Sequence, residues 1–225
     1  MSAFRTPILP SQSDFSISYK DTIFLIGSCF SENIGEKFQN SKFNCMSNPY
    51  GIMYNPSSVF RTLYSIIDQK KFTASDLIFH NELFHSLDHH GKFSQSDADE
   101  MVKQINTVNE VAHEYLKNTS ALFITLGTAW VYVHRDTKKL AANCHKIPAK
   151  AFIRQRLSQH QIVDLHSKLI LRLKELNPAM QIIYTVSPVR HLKDGFIENT
   201  TSKSILHLAK DQLVDRFDQV SYFPA

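Results

Sequence analysis

Cysteine is scarce in this sequence of 225 residues, and its placement argues against a scaffold built on disulfides. Cys29, Cys45 and Cys144 are odd in number, lie far apart and form no Cys-x-x-Cys pair. Small secreted domains that depend on disulfides carry an even number of cysteines, so this pattern favours a reducing compartment. We therefore predict a cytoplasmic protein.

Long apolar runs and a strong charge of one sign are also missing. No window approaches the length of a membrane-spanning helix, and residues 1–18 lack the apolar core of a secretory signal peptide. The 25 basic and 21 acidic residues leave a formal charge of only +4, and no basic stripe is interleaved with aromatic side chains. We expect neither a membrane nor nucleic acid as a partner, and the oligomeric state stays open.

What the sequence does contain is a regular alternation of apolar strands and amphipathic helices. Strands are predicted at residues 22–26, 43–46, 121–126, 130–134, 181–186 and 220–223, and helices at 30–38, 56–68, 97–117, 158–176 and 200–217. This alternation predicts an α/β fold with a parallel sheet and helices on both faces, in a single domain over residues 1–225. Residues 72–96 show no clean periodicity, and we interpret them as an insertion packed over one end of the sheet.

The segment from Asp21 to Phe38 combines a buried strand, a sharp turn at Gly27-Ser28-Cys29 and the start of a helix. Open α/β sheets place their sites where a strand ends and a helix begins, because the helix N-terminus favours an anion. Ser28 is therefore a candidate nucleophile. A serine at this position more commonly caps the helix, and both roles stay open. Cys29 is interpreted as a small buried residue rather than as the nucleophile.

Two other predicted strands also end in small polar motifs, Gly127-Thr128 and Ser187-Pro188. Parallel strands bring their carboxyl ends to one edge of the sheet, and the turn-rich loop that begins at Asn48 would reach the same edge. This convergence favours the catalytic role of Ser28.

Several long motifs, which follow one another in a fixed order, resemble those of a known family. They are Gly27-Ser28-Cys29-Phe30-Ser31, Asn48-Pro49-Tyr50-Gly51-Ile52, Gly127-Thr128-Ala129, Asn143-Cys144-His145-Lys146 and Ser187-Pro188-Val189-Arg190-His191. The chain resembles the GSCFA family, whose fifth motif letter is usually Ala and is Ser31 here. That family is similar to the SGNH, or GDSL-like, hydrolases. The resemblance implies a three-layer, flavodoxin-like sheet with strand order 2-1-3-4-5 and a serine nucleophile after the first strand.

The resemblance also implies roles for individual residues. Ser28 would be the nucleophile, the backbone N–H groups of Ser28 and Gly51 would be oxyanion donors, and Thr128 would replace the asparagine that is the third donor in the hydrolases. The hydrolases take their base from an Asp-x-x-His block after the last strand. No such block follows Phe223 before the sequence ends at Ala225, so we expect a chain truncated at its C-terminus.

Five further residues are candidates for binding substrate or for acting as the base, because they lie in loops expected near the same edge. They are His85, Asn143, His145, Arg190 and His191. His85 and His89 also have the i,i+4 spacing of a zinc pair, but no acidic residue of a His-Glu-x-x-His motif accompanies them. We expect no metal and no other cofactor.

The predicted function is that of a serine esterase or O-acyltransferase acting on a small acyl ester, esters carried by a glycan included. The alternative is a non-catalytic module that binds a ligand or polysaccharide in the same pocket. Reaction of Ser28 with an acyl or phosphonate probe would separate the two.

Overall fold

The structure is a computed structural model that describes residues 15–190 and 192–224. In chain order its elements are β1 (Thr22–Gly27), α1 (Cys29–Asn40), β2 (Asn44–Ser47), α2 (Pro56–Ile67), β3 (Leu77–His80), β4 (Leu83–Ser86), α3 (Ala98–Lys117), β5 (Ala121–Leu126), β6 (Trp130–His134), β7 (Leu140–Ala141), β8 (Phe152–Arg156), α4 (Gln159–Leu176), β9 (Gln181–Val186), α5 (Phe196–Arg216) and β10 (Val220–Tyr222). Short 3-10 turns lie at residues 74–76, 91–93, 149–151 and 192–194.

Five strands form the central sheet, in the order β2-β1-β5-β9-β10, and every neighbouring pair is parallel. Counted along the chain, this is the predicted order 2-1-3-4-5, so the flavodoxin-like α/β fold is confirmed. Residues 23–26 of β1 are each 0% exposed, as expected for a central strand that is covered on both faces. None of the helices formed by the described residues combines the length and apolarity needed to cross a bilayer.

Two excursions leave this sheet and pack against each other. Residues 72–96, predicted as an insertion, contain the antiparallel hairpin β3–β4. Residues 130–156 form a second small sheet with the order β7-β6-β8, of which only β6 was predicted. The sequence prediction missed β8 because four of its five residues are exposed and it shows no apolar alternation. Leu87, Ala141 and Phe152 form the apolar contact between the two excursions.

The N-terminal caps of α3 and α5 differ from the sequence prediction. The sequence predicts a helix from Asp97 capped by Ser96, but α3 begins at Ala98 and Asp97 is its cap. The spacing of Ser158 and Gln161 predicts a capping box, which the structure has at the start of α4. Helix α5 begins at Phe196, four residues before the predicted start at residue 200. Gly195 precedes it with a φ of 77° and without a side-chain cap, so no capping residue marked this start in the sequence.

A buried histidine connects three elements of the core. His166 on α4 is 0% exposed, and its Nε2 lies 3.1 Å from the carbonyl oxygen of Pro56, at the start of α2. Its Nδ1 lies 2.6 Å from the hydroxyl oxygen of Tyr184 on β9. Because a carbonyl only accepts, Nε2 must carry the hydrogen, and Nδ1 then accepts from the Tyr184 hydroxyl. Burial lowers the pKa of His166 to about 4, so the ring is neutral near pH 7.

We expect His166 to make the fold sensitive to acid. Its folded-state pKa is depressed below the unfolded value near 6.5, so the unfolded chain binds the proton more readily. Its contribution is present in full above pH 6.5 and is lost as the pH falls towards 4. Between pH 6.5 and 4 the wild type should lose about 3 kcal/mol of unfolding free energy through His166. We predict that His166→Phe does not show this loss.

The measurement is urea unfolding of both proteins at a series of pH values. At pH 7 the variant should also lose about 2 kcal/mol, because the Pro56 carbonyl and the Tyr184 hydroxyl are left unpaired. The matched control is His160→Gln, an exposed position on the same helix, which should keep the wild-type profile. A pH profile of His166→Phe parallel to that of the wild type would contradict the assignment.

Candidate active site

The candidate site is built around the turn from β1 to α1. Gly27 has a φ of 129°, and a Cβ at this position would lie 2.1 Å from the carbonyl oxygen of Thr125 on β5, so only glycine fits. Ser28 follows at the carboxyl end of the strand and is 1% exposed. Its Oγ accepts a hydrogen bond of 3.3 Å from the Phe30 N–H, which makes Ser28 the N-cap of α1.

Residues 48–55 form a loop, here called the Asn48 loop, that holds this turn from the other side. The Asn48 side chain accepts the Gly27 N–H at 2.8 Å, and the Gly27 carbonyl accepts the Met53 N–H at 2.9 Å. The Tyr54 carbonyl accepts the N–H groups of both Gly127 and Thr128, at 2.7 and 3.0 Å. One loop therefore fixes the carboxyl ends of β1 and β5 together.

The N–H groups expected to bind an oxyanion are already used inside the protein. The Ser28 N–H donates to the Thr125 carbonyl at 3.1 Å, and the Gly51 N–H donates to the Asn48 carbonyl at 2.7 Å. The Thr128 hydroxyl lies 3.2 Å from the Ser202 hydroxyl on α5 and accepts the Trp130 N–H. This arrangement corrects the expectation of two open backbone donors. The physical reason is that the sheet pairing of β1 with β5 continues one residue further, through Ser28.

The hydrogen bonding of the Ser28 hydroxyl is nevertheless compatible with a nucleophile. Its oxygen accepts the Phe30 N–H, and no described residue accepts its own proton. An alkoxide at this oxygen would be stabilised by the same N–H and by the positive end of the α1 dipole. Capping the helix and acting as a nucleophile are therefore compatible roles for the same atom. What the described residues do not supply is a hydrogen-bonded base.

His85, Asn143 and His145 lie close to one another, and their side chains hydrogen-bond to residues of their own two loops rather than to Ser28. Nε2 of His85 donates to the His80 carbonyl at 3.0 Å, and Nδ1 lies 2.6 Å from the Ser94 hydroxyl. The rings of His85 and His145 lie 4.6 Å apart, and His145 donates to the Ser86 carbonyl at 2.7 Å.

Neither of these two histidines is hydrogen-bonded to Ser28. His85 has both ring nitrogens engaged, whereas His145 donates from Nε2 to a carbonyl and therefore has an unprotonated Nδ1. Burial lowers the pKa of His145 to about 4, so its ring is neutral. Asn143 accepts the His145 N–H at 2.9 Å, which shapes the loop that carries both residues. No cluster of three or more His, Cys, Asp or Glu within residues 15–190 and 192–224 is arranged to hold a metal ion.

A further histidine, His89, supports the Asn48 loop from below. It is 0% exposed, stacks on Tyr50 with ring centroids 3.9 Å apart, and has Nδ1 2.8 Å from the Ser86 hydroxyl. Burial lowers its pKa to about 3, so it serves as a neutral packing surface. Gly51 completes this contact, because a Cβ there would lie 2.2 Å from the Cβ of His90.

Lys203 on α5 is a residue that the sequence analysis missed. Its Nζ donates to the carbonyl oxygens of Gly127 at 2.6 Å and Ser187 at 2.5 Å, so it joins the ends of β5 and β9. Partial burial lowers its pKa to about 8. The sequence signal that could have identified Lys203 is its position four residues after Asn199 and three before Leu206, on the buried side of α5. Of the predicted residues after β9, Arg190 is exposed, and His191 lies outside the described residues.

Comparison with known proteins agrees with the motifs. The GSCFA family model matches residues 22–225, and the chain belongs to the GSCFA family. No curated protein matches the sequence. Among solved structures, the acetyl xylan esterase Est2A from the rumen bacterium Butyrivibrio proteoclasticus is similar to 93% of this chain, with 13% identity and a TM-score of 0.39. The chain spans 56% of the length of that esterase chain.

The role of Asn48 in fixing the turn can be tested by truncation. Asn48→Ala leaves the buried Gly27 N–H without its acceptor and places alanine at a φ of 42°. We predict a loss of about 2 kcal/mol of unfolding free energy, measured by urea denaturation. The control is Asn40→Ala at the exposed end of α1, which should change stability by less than about 0.5 kcal/mol. Equal stability of the two variants would contradict the proposed support.

Proposed function

We propose that this member of the GSCFA family is a serine esterase or O-acyltransferase that acts on a small acyl ester, with Ser28 as its nucleophile. The proposal includes esters carried by a glycan. The observation that carries it is the position of Ser28, at the junction of the central strand β1 with the N-terminus of α1. In this position the serine oxygen accepts an N–H, and its own proton has no acceptor among the described residues.

The reaction follows from this position. Ser28 Oγ attacks the ester carbonyl carbon, its proton passes to a base, and the acyl group becomes bonded to Ser28 as the alcohol leaves. Water or a second alcohol then takes the acyl group, which distinguishes hydrolysis from transfer. The Phe30 N–H and the α1 dipole stabilise the negative charge on Oγ before attack.

We infer that the base is a histidine outside the described residues, because no described histidine is hydrogen-bonded to Ser28. His191 is the histidine of this sequence that lies there, five residues after the end of β9 along the chain. The other source is the Asp-x-x-His block that the hydrolases carry after the last strand. A serine without a base has almost no alkoxide at neutral pH, so the two sources give different results when His191 is replaced.

A second candidate function is a binding module without turnover. It is favoured by the 1% exposure of Ser28 and by the internal hydrogen bonds of the Ser28 and Gly51 amides. Under the enzyme proposal, the Ser28 turn must open before an ester can reach Oγ. Under the alternative, the same edge binds a ligand or a polysaccharide, and Ser28 only caps α1.

The decisive measurement is the intact mass of the full protein after reaction with a fluorophosphonate probe. We predict one adduct that is absent from Ser28→Ala and retained in Cys29→Ser, which removes the neighbouring thiol, and in Ser204→Ala, at an exposed serine. Removing the cap should cost Ser28→Ala about 1 kcal/mol, so its fold is verified by thermal unfolding. Loss of the adduct in His191→Gln assigns the base to His191, and retention assigns it to the other source.

No adduct on the wild-type protein would contradict the enzyme proposal. Co-sedimentation with insoluble xylan, with and without Ser28→Ala, then tests the binding module. Equal binding of both proteins is the result that the module predicts, because the hydroxyl would only cap the helix.

A further inference from the structure

A cleft of about 290 Å³ opens where β9 and β10 end. Neither Ser28 nor any residue of the 72–96 excursion lines it. Its polar lining consists of Ser187, Arg190, Asn199, Thr200, Lys203, Ser204, His207 and Tyr222. Two of these side chains are permanent or near-permanent cations at pH 7, and none is acidic. The cleft therefore presents positive charge to whatever enters it.

The acidic residues of the neighbouring helix do not neutralise this charge. Asp194 lies 2.5 Å from Arg154, and Glu198 lies 2.6 Å from Arg156, both arginines belonging to β8. Asp211 pairs with Lys210 of its own helix. These three carboxylates are thus bonded to cations outside the cleft lining, and Asp211 also acts electrostatically on His207 and Tyr222. Arg190 has no carboxylate partner among the described residues.

Lys203 is fixed in the orientation that an anion site requires. Two of its three ammonium hydrogens go to the carbonyls of Gly127 and Ser187, and the third has no acceptor among the described residues. Because this half-buried ammonium is already fixed, its side chain loses little further conformational entropy when an anion binds. Its charge is also screened less than that of an exposed lysine.

The cleft lies within reach of a ligand that also touches Ser28. Gly27 pairs with Thr125 across β1 and β5, and Leu126 pairs with Val186 across β5 and β9. Thr125 pairs with Thr185, so Ser28 lies one residue and Ser187 two residues beyond a common level, on either side of β5. Two strand spacings separate them, or about 10 Å between backbones, which is comparable to one or two sugar rings.

We propose that this cleft binds the anionic group, a carboxylate or a phosphate, of the molecule whose ester Ser28 attacks. Lys203 and Arg190 bond to the anion's oxygens, with the Ser187 and Thr200 hydroxyls beside them. This inference rests on the proposed function, and it narrows the substrate class to acyl esters on an anionic carrier.

Calorimetric titration of the full protein with three probes tests the inference. Glucuronate carries a carboxylate, inorganic phosphate carries only the anion, and glucose is the uncharged match of glucuronate. We expect saturable binding of one or both anions and none of glucose. Arg190→Gln and Lys203→Gln should each weaken anion binding about tenfold, because each removes one charge-assisted hydrogen bond. Lys150→Gln, at an exposed lysine of the second excursion, should leave binding unchanged.

Several outcomes would overturn the inference. They are absence of saturable anion binding, equal binding of glucose and glucuronate, and unchanged affinity in Arg190→Gln. A glutamine at position 203 can still donate to the two carbonyls, and Arg190→Gln alters only an exposed side chain, so misfolding of one variant leaves the other decisive. The titration is repeated on Ser28→Ala, where anion binding should persist. Failure of the anion site is thereby distinguished from failure of the nucleophile, which the fluorophosphonate adduct reports independently.

Discussion

The hydrogen bond between the Asn48 side chain and the Gly27 N–H is the contact on which the candidate site depends. Gly27 leaves β1 with a backbone geometry that no other residue can adopt there, and both of its polar backbone groups would be unpaired without the Asn48 loop. The same loop uses one carbonyl, that of Tyr54, to fix the end of β5. Ser28 is positioned by these contacts of Gly27 together with its own N–H bond to the Thr125 carbonyl.

Charge is distributed unevenly over the carboxyl edge of the sheet. On the side of the Asn48 loop, burial keeps His89 and His145 neutral, so these rings act as packing surfaces and hydrogen-bonding groups. On the side of β9, Lys203 and Arg190 retain positive charge and face a cleft without acidic lining. Ser28 lies between these two environments. An ester with an apolar acyl group and an anionic carrier would match these surroundings, with the acyl group on the neutral side and the carrier beside Lys203 and Arg190.

Apolar runs allowed the strands of the central sheet to be predicted, and periodicity with capping residues allowed most helices to be predicted, whereas the strand order was implied by the resemblance to the GSCFA family. Strands β7 and β8 escaped prediction because one has two residues and the other is mostly exposed. The position of Ser28 was predictable from the strand-turn-helix pattern, but the use of its N–H was not, because hydrogen-bond partners on β5 depend on register. Lys203 was missed for a related reason: its acceptors are backbone carbonyls, which no side-chain motif encodes.

The two hydrogen bonds from Lys203 to the carbonyls of Gly127 and Ser187 have a consequence for the order of folding. The lysine and Gly127 are separated by 76 positions, and Ser187 lies 16 positions before the lysine. Closing such a long loop costs chain entropy that local contacts do not repay, so this edge should order late, after α5 has packed. A nascent chain released before residue 203 could form β1, β5 and β9, yet the edge that carries Ser28 would be unfinished. Completion of the last helix and assembly of the site are, on this view, a single event.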